Sequence, residues 1–477
     1  MADLVLVSNP ASGEEGHPPL GLAYIASYLE KNSKFSVKIV DKEKNIAKAV
    51  AKENPSLVGI TSVTIQFPSA IKLAQDIRSE MDVPIAVGGE HITALPQQLP
   101  SQFDIGVIGE GEQTILELMK IYSKGGSMNS VEGIVFHKGN DKNNNKNKSV
   151  TTNPPRKLIE PLDSIPFPSR HLLKMDDYLA PRRTISKIKL SRGTHIFTSR
   201  GCPYNCVFCS SSCFWQRRIR FNSPEYVVSE INHLIEKYKV DGICIFDDLF
   251  IADKERLRKI SELVKKEKIN EKVSFRCSVR TNLINDDVCK FMKDMNVETV
   301  TIGFESGSPR MLAYLKNNTA TIEDNKRSAE LLHKYGFEIE GLFMLASPGE
   351  TKADMMMTLD FIKNNFIDTI QLSITTPYPG TELWNYALEK GLVSNDMDWS
   401  KLDLKPNEDL TNQLTMVDTM TKQEFAEIYD LFRREVEKRN VRIASMKNMF
   451  SLSLIKRGMQ NPRKVFNYLY YSMKKKL

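Results

Sequence analysis

The sequence predicts an α/β protein. Short apolar runs of strand length alternate with helical stretches, the alternation occurs twice along the chain, and a polar segment separates the two series. The first series runs LVLVSN near residue 4, GLAYIASYLEK, SVKIVD, NIAKAVAKE, LVGITSV, FPSAIKLAQDIRSE and PIAVGG. Repeated strand–helix units of this kind form a parallel sheet doubly wound with helices, and ligands bind such sheets at the carboxyl ends of the strands. Glycines and polar residues gather at those ends: Thr61 and Ser62, then Gly88, Gly89 and His91, then Gly109, Glu110 and Gly111.

The second series spans about Lys187 to Pro379, with strand candidates HIFTS, GICIFDD, VSFRCSV, TVTIGFE, EIEGLFML and TIQLSIT. Six such units suggest a partial, TIM-like (β/α)6 barrel. After Thr381 the pattern is mainly helical, as in KQEFAEIYDLFRREVEKR, whose apolar positions recur at helical spacing. Between the two series, KGNDKNNNKNKSVTTNPP carries almost no apolar residue and reads as a mobile loop, and EPLDSIPFPSRHLL, broken by prolines, reads as an extended connector. The expected organisation is therefore a Rossmann-like domain over 1–135, loop and connector over 136–186, a barrel over 187–385 and a helical region with a basic tail over 386–477.

With 41% hydrophobic and 26% charged residues in 477, the composition is that of a soluble globular protein. No stretch reads as a signal peptide or a membrane span. Seven cysteines, four of them between Cys202 and Cys213, do not form the even framework of a secreted disulfide protein, so a reducing cytoplasm is the expected location. The net charge of +7 is concentrated at the end: Arg439 to Leu477 holds ten Lys/Arg and no acid, leaving −3 for the rest.

In TSRGCPYNCVFCSSS, directly after a predicted strand, the spacing is Cys-x3-Cys-x2-Cys. Thiolates ligate iron, and a loop of this spacing can hold three corners of a [4Fe–4S] cube while leaving the fourth iron open. A structural zinc site is the alternative, with Cys213 as a fourth thiolate, as is a redox pair. Further along, Gly303, Glu305, Ser306 and Gly307 close one strand, Arg280 closes another, and Asp247 and Asp248 a third. Plain structural roles exist for each: a helix-start acid, a solvated arginine, a capping aspartate.

The cysteine stretch resembles the signature of the radical S-adenosylmethionine (SAM) superfamily, and the later strand ends resemble that superfamily's barrel over roughly 190–380. The resemblance implies Cys202, Cys206 and Cys209 as cluster ligands, Phe208 near the adenine of SAM, and Asp247, Arg280, Gly303, Glu305, Ser306 and Gly307 as SAM contacts. An α/β domain ahead of such a barrel, with PPLGLAYIASYL, GITSVT, VGGEH and GEGEQT, resembles the cobalamin-binding radical SAM group. That implies cobalamin held at Thr61, Ser62, Gly88, Gly89, His91, Gly109 and Glu110. One departure stands out: no histidine follows Asp41, where many cobalamin domains carry a lower cobalt ligand in Asp-x-His-x-x-Gly.

The implied activity is a cobalamin-dependent radical SAM methyltransferase acting on an unactivated carbon through a 5′-deoxyadenosyl radical. A radical cyclase or oxidase with the same cofactors is the alternative, and a non-catalytic cofactor-binding protein the alternative of another class. No cysteine precedes Cys202, which disfavours the extra cluster of methylthiotransferases. The expected partners are a small-molecule or lipid substrate and a one-electron reductant such as flavodoxin or ferredoxin, with no nucleic acid. The basic, aromatic tail with Phe466, Tyr468, Tyr470 and Tyr471 suits peripheral contact with the inner membrane face.

Overall fold

In the computed structural model, residues 1–9, 17–137, 150–180, 185, 191–403 and 414–449 are described, with side chains only as far as Arg439. The Asn/Lys-rich segment 138–149, most of the expected mobile loop, and the tail beyond 449, with the membrane contact expected of it, lie outside the described residues.

The N-terminal domain runs β1 (Leu4–Val7), α1 (Leu20–Asn32), β2 (Val37–Val40), α2 (Ile46–Glu53), β3 (Leu57–Thr61), α3 (Phe67–Glu80), β4 (Ile85–Gly88), α4 (Glu90–Ala94), β5 (Ile105–Val107), α5 (Glu112–Lys124), β6 (Ile134–His137) and β7 (Val150–Thr152). Its sheet has the order β2-β1-β3-β4-β5-β6-β7. The first five strands are parallel and the last two antiparallel. Strand β1 shows why both faces are covered. Leu4 and Leu6 enter one core with Leu22, Ala26 and Leu29 of α1 and Met119 of α5, while Val5 and Val7 enter the other with Val50 of α2 and Ala70 and Leu73 of α3. Burial of each such side chain stabilises by roughly 1.5–3 kcal/mol. Since the chain steps from β2 back across β1 to β3, the carboxyl ends of β1 and β3 form the switch point where this fold opens a crevice.

Val150–Thr152 corrects the end of the expected mobile loop. These β-branched residues extend the first sheet through β6, so the domain reaches beyond residue 135. The link that follows contains α6 (Met175–Tyr178) and is bound along its length. The Arg170 guanidinium donates to Glu230 at 2.7 Å and to the His195 carbonyl at 3.1 Å, with Arg170 and Glu230 both fully buried.

The barrel domain comprises β8 (Gly193–Ile196), β9 (Ser199–Gly201), α7 (Ser211–Phe214), β10 (Ile219–Phe221), α8 (Pro224–Tyr238), β11 (Gly242–Ile245), α9 (Lys254–Lys266), β12 (Ser274–Val279), α10 (Asp286–Asp294), β13 (Val297–Glu305), α11 (Pro309–Leu315), α12 (Ile322–Lys334), β14 (Glu338–Leu345), α13 (Lys352–Asn364) and β15 (Thr369–Ile374). All six expected strands form one parallel sheet in chain order, β8-β11-β12-β13-β14-β15. Local chemistry starts the helices: Thr321 with Asp324 and Thr351 with Asp354 form reciprocal capping boxes at α12 and α13. After α14 (Glu382–Glu389), α15 (Lys422–Met449) buries Phe425, Ile428, Tyr429, Phe432 and Val436, a helical stripe, in the core shared with the barrel. No described helix is long and apolar enough to cross a membrane.

Candidate active site

The cysteine loop is the connection of a two-stranded hairpin. Strand β9 pairs antiparallel with β10, so residues 202–218 leave and return at adjacent points. Gly201 makes this possible: its φ is +96°, and a Cβ there would lie 2.1 Å from the Arg218 carbonyl oxygen. The loop is tied down by its own backbone. The Val207 N–H donates to the Leu315 carbonyl at 3.1 Å, the Leu383 N–H donates to the Val207 carbonyl at 3.1 Å, and the Cys209 N–H closes a turn onto the Cys206 carbonyl at 3.1 Å.

Cys202, Cys206 and Cys209 lie close enough to feel one another's charge, and burial pushes the thiols of Cys202 and Cys209 up. They are not drawn onto one point: among the described residues no three His, Cys, Asp or Glu side chains are arranged for a single ion. Cys213 turns elsewhere, with its Sγ 2.7 Å from where a Cβ on Gly380 would sit. Arg280, buried at the end of β12, brings Nη1 to 3.3 Å from the Cys206 Sγ and lies over the Tyr204 ring at 3.8 Å.

The other barrel residues divide. Phe208 is half-buried under the Lys316 ammonium, 5.6 Å from its ring centre, and that ammonium bonds Glu305 at 2.7 Å. Glu305 holds a left-handed φ of +61° at the end of β13, and Gly303 leaves the space its carboxylate fills. Ser306 and Gly307, expected to admit a ligand, instead admit helix α13. Thr358 Oγ1 lies 3.1 Å from Ser306 Oγ and accepts from the Gly307 N–H at 3.0 Å, and a Cβ on Gly307 would meet the Met357 carbonyl at 2.5 Å. Asp247 also turns inward, accepting from the Thr198 N–H at 2.6 Å and from Ser199 Oγ at 2.7 Å. Its neighbour Asp248, one residue on, faces the cavity and accepts from Ser211 Oγ at 2.8 Å.

A cavity of about 480 Å³ lies between the two domains. Its floor is the carboxyl edge of the first sheet, with Leu6, Thr61, Ser62, Gly88, Gly89 and Gly109. Opposite stand Cys209, Ser210, Phe214 and Trp215 of the cysteine loop, and Phe197, Phe246 and Asp248 at the ends of β8 and β11. Thus Thr61, Ser62, Gly88, Gly89, Gly109 and Glu110 share one chamber with a cysteine of the signature. His91 does not: its ring is buried between Phe67 and Trp399 at 3.8 and 4.7 Å, and neither nitrogen has a partner among the described residues. Burial lowers its pKa to about 4, so it is a neutral core residue rather than a ligand contact. Glu110 reaches the cavity wall, but its carboxylate is spent on Arg200, Arg220 and the Ile159 N–H. Burial opposes its ionisation, yet the two guanidiniums hold it below the usual carboxylate range.

Sequence reasoning paired Asp248 with Asp247 at a strand end, and missed Arg200, Phe197, Phe246, Phe214 and Trp215. The aromatic pair directly after Cys213 and the charge directly before Gly201 were the available signals.

The same two halves emerge from comparison with known proteins. The B12 binding domain model matches residues 11–119, and the Radical SAM superfamily model matches residues 196–362. An uncharacterized methyltransferase of Pyrococcus horikoshii is 37% identical over 396 residues, covering 80% of this chain and 81% of the relative. The chain belongs to the cobalamin-binding radical SAM enzymes. The cytidylyl-2-hydroxyethylphosphonate methyltransferase of Streptomyces wedmorensis is 25% identical, with 84% of each chain covered. In fold, the chain is similar to the radical SAM methyltransferase TsrM from Kitasatospora setae, solved with tryptophan substrate and a SAM analogue (TM-score 0.67, 19% identity, 84% of this chain and 80% of that one). The residues fit the family's cofactors. Three neighbouring thiols on a tethered loop suit the cluster, and the glycine-lined strand ends facing them suit a large flat cofactor.

Proposed function

We propose that this cobalamin-binding radical SAM enzyme is a methyltransferase acting on an unactivated carbon of a small molecule. One observation carries the proposal: a single cavity joins the strand-end glycines of the first domain to Cys209 of the cluster loop. When bound, the cluster supplies an electron for SAM cleavage and cobalamin a carrier for the methyl group. Cys202, Cys206 and Cys209 would hold the cluster, and Arg280, beside Cys206, places a fixed positive charge there. Phe208, Lys316 and Glu305 form a connected set next to the loop that suits the adenosyl part of SAM. Thr61, Ser62, Gly88, Gly89 and Gly109 form the floor on which cobalamin would lie. Phe197, Phe246, Phe214 and Trp215 line the opposite wall with apolar surface and keep water from the reacting region. The methyltransferase relatives support methyl transfer over other radical outcomes. A small-molecule substrate and a one-electron donor of the flavodoxin or ferredoxin kind complete the proposal.

The test is anaerobic incubation of the reconstituted enzyme with SAM, a reductant and candidate substrates. The expected products are 5′-deoxyadenosine together with S-adenosylhomocysteine, and a product one methyl group heavier. A cyclase or oxidase would give 5′-deoxyadenosine without S-adenosylhomocysteine, and a binding protein would give neither.

A further inference from the structure

The hairpin that carries the cluster loop holds two arginines side by side. Arg200 on β9 lies directly across from Arg220 on β10. Like charges facing each other across a strand pair repel, and these two have no acid on their own hairpin to offset them. Their partners come from the other domain. Arg200 donates to Glu110 and Glu112, each at 2.6 Å, and Arg220 donates to Glu110 at 2.9 and 3.1 Å and to the Ile159 carbonyl at 2.6 Å. Three of the four side chains are no more than 5% exposed, and that of Arg200 is 14% exposed. Two guanidiniums meet two carboxylates, so the buried set is neutral. Glu110 and Glu112 lie in the turn between β5 and α5 and at the start of α5, next to Gly109 of the cavity floor, and Arg200 is two residues from Cys202.

From this arrangement we infer that Glu110, Glu112, Arg200 and Arg220 form an ionic clasp that fixes the cluster loop at a set distance and orientation above the cobalamin floor. They are positioning residues: none needs to touch a reacting atom. Arg170 and Glu230 tie the connector to α8 of the barrel, whereas the clasp joins the first domain to the hairpin of the cluster loop itself. The inference rests on the assignment of cluster and cobalamin to the two sides of this cavity. It replaces a direct cobalamin contact by the Glu110 carboxylate.

The test uses the full chain reconstituted with iron, sulfide and hydroxocobalamin, in native form and as Glu112→Gln, Glu110→Gln and Arg200→Lys. Metal and cobalamin contents are measured first. Electron paramagnetic resonance then reads the magnetic interaction between reduced cluster and cob(II)alamin, a quantity set by their separation. The clasp predicts that at least Glu112→Gln, the mildest change, keeps both contents within about 20% of native. It further predicts that this variant weakens or broadens the interaction signal at least twofold, and that 5′-deoxyadenosine formation runs ahead of S-adenosylhomocysteine formation. An unchanged interaction in loaded variants would overturn it. So would selective loss of cobalamin in Glu110→Gln, which would restore a cofactor-contact role, or loss of both cofactors in all three variants, which would mark a purely structural pair. A native protein that takes up the cluster but no cobalamin would instead defeat the cofactor assignment itself, before any variant is compared.

Discussion

Side-chain direction decides function at the level of single residues, and direction is where neighbours in sequence part company. Asp247 and Asp248 end the same strand, yet one is consumed by Thr198 and Ser199 while the other faces the cavity. His91 follows two glycines at a ligand-binding edge, but its ring enters the core beside Phe67 and Trp399. Because burial lowers its pKa to about 4 from 6.5, the folded chain refuses a proton that the unfolded chain accepts. Stability is therefore lost as the pH falls from about 6.5 towards about 4, by up to roughly 3 kcal/mol. His91→Phe should abolish that part of the acid-side loss and leave cobalamin content unchanged. Thermal melting between pH 7 and 4.5, with cobalamin quantified after gel filtration, checks both. Reduced cobalamin content with melting unaltered would return His91 to the site.

At the scale of elements, the strands and helices were legible because each is written in local pattern. The six barrel strands appear as apolar runs, and the doubly wound strands as runs between amphipathic helices. Strand β7 was not, because three residues beside a polar stretch acquire strand character only by pairing with β6. The Glu110–Arg200 contact was equally hidden, joining residues 90 apart in the chain. The hairpin of β9 and β10 is the element on which the site depends most. Gly201→Ala imposes both a left-handed φ and a contact of 2.1 Å with backbone, and should cost about 2–4 kcal/mol and strip the cluster. Gly336→Ala is the control: its φ of +71° is also left-handed, but nothing lies within 4 Å, and the cost should be about 1 kcal/mol with the cluster retained. Iron content and denaturant unfolding distinguish the two. Equal losses would show that the hairpin geometry is unimportant.

For the whole molecule, the central feature is the apposition of two α/β units across one cavity. Three cysteines in close spacing made one side of it readable, and glycines at strand ends the other. That they face each other follows only from the tertiary structure, through the clasp that joins Glu110 and Glu112 to Arg200 and Arg220. Two separate binding surfaces meeting in one chamber make a specific prediction for absorption spectra of protein reconstituted anaerobically with iron, sulfide and hydroxocobalamin. Cys206→Ala should lose the thiolate-to-iron absorption and keep the cobalamin bands. Gly88→Trp, which fills the floor from the end of β4, should lose the cobalamin bands and keep the cluster. Native protein that binds no cobalamin, or a Gly88→Trp variant that binds it as well as native, would contradict the placement of cobalamin opposite the cluster.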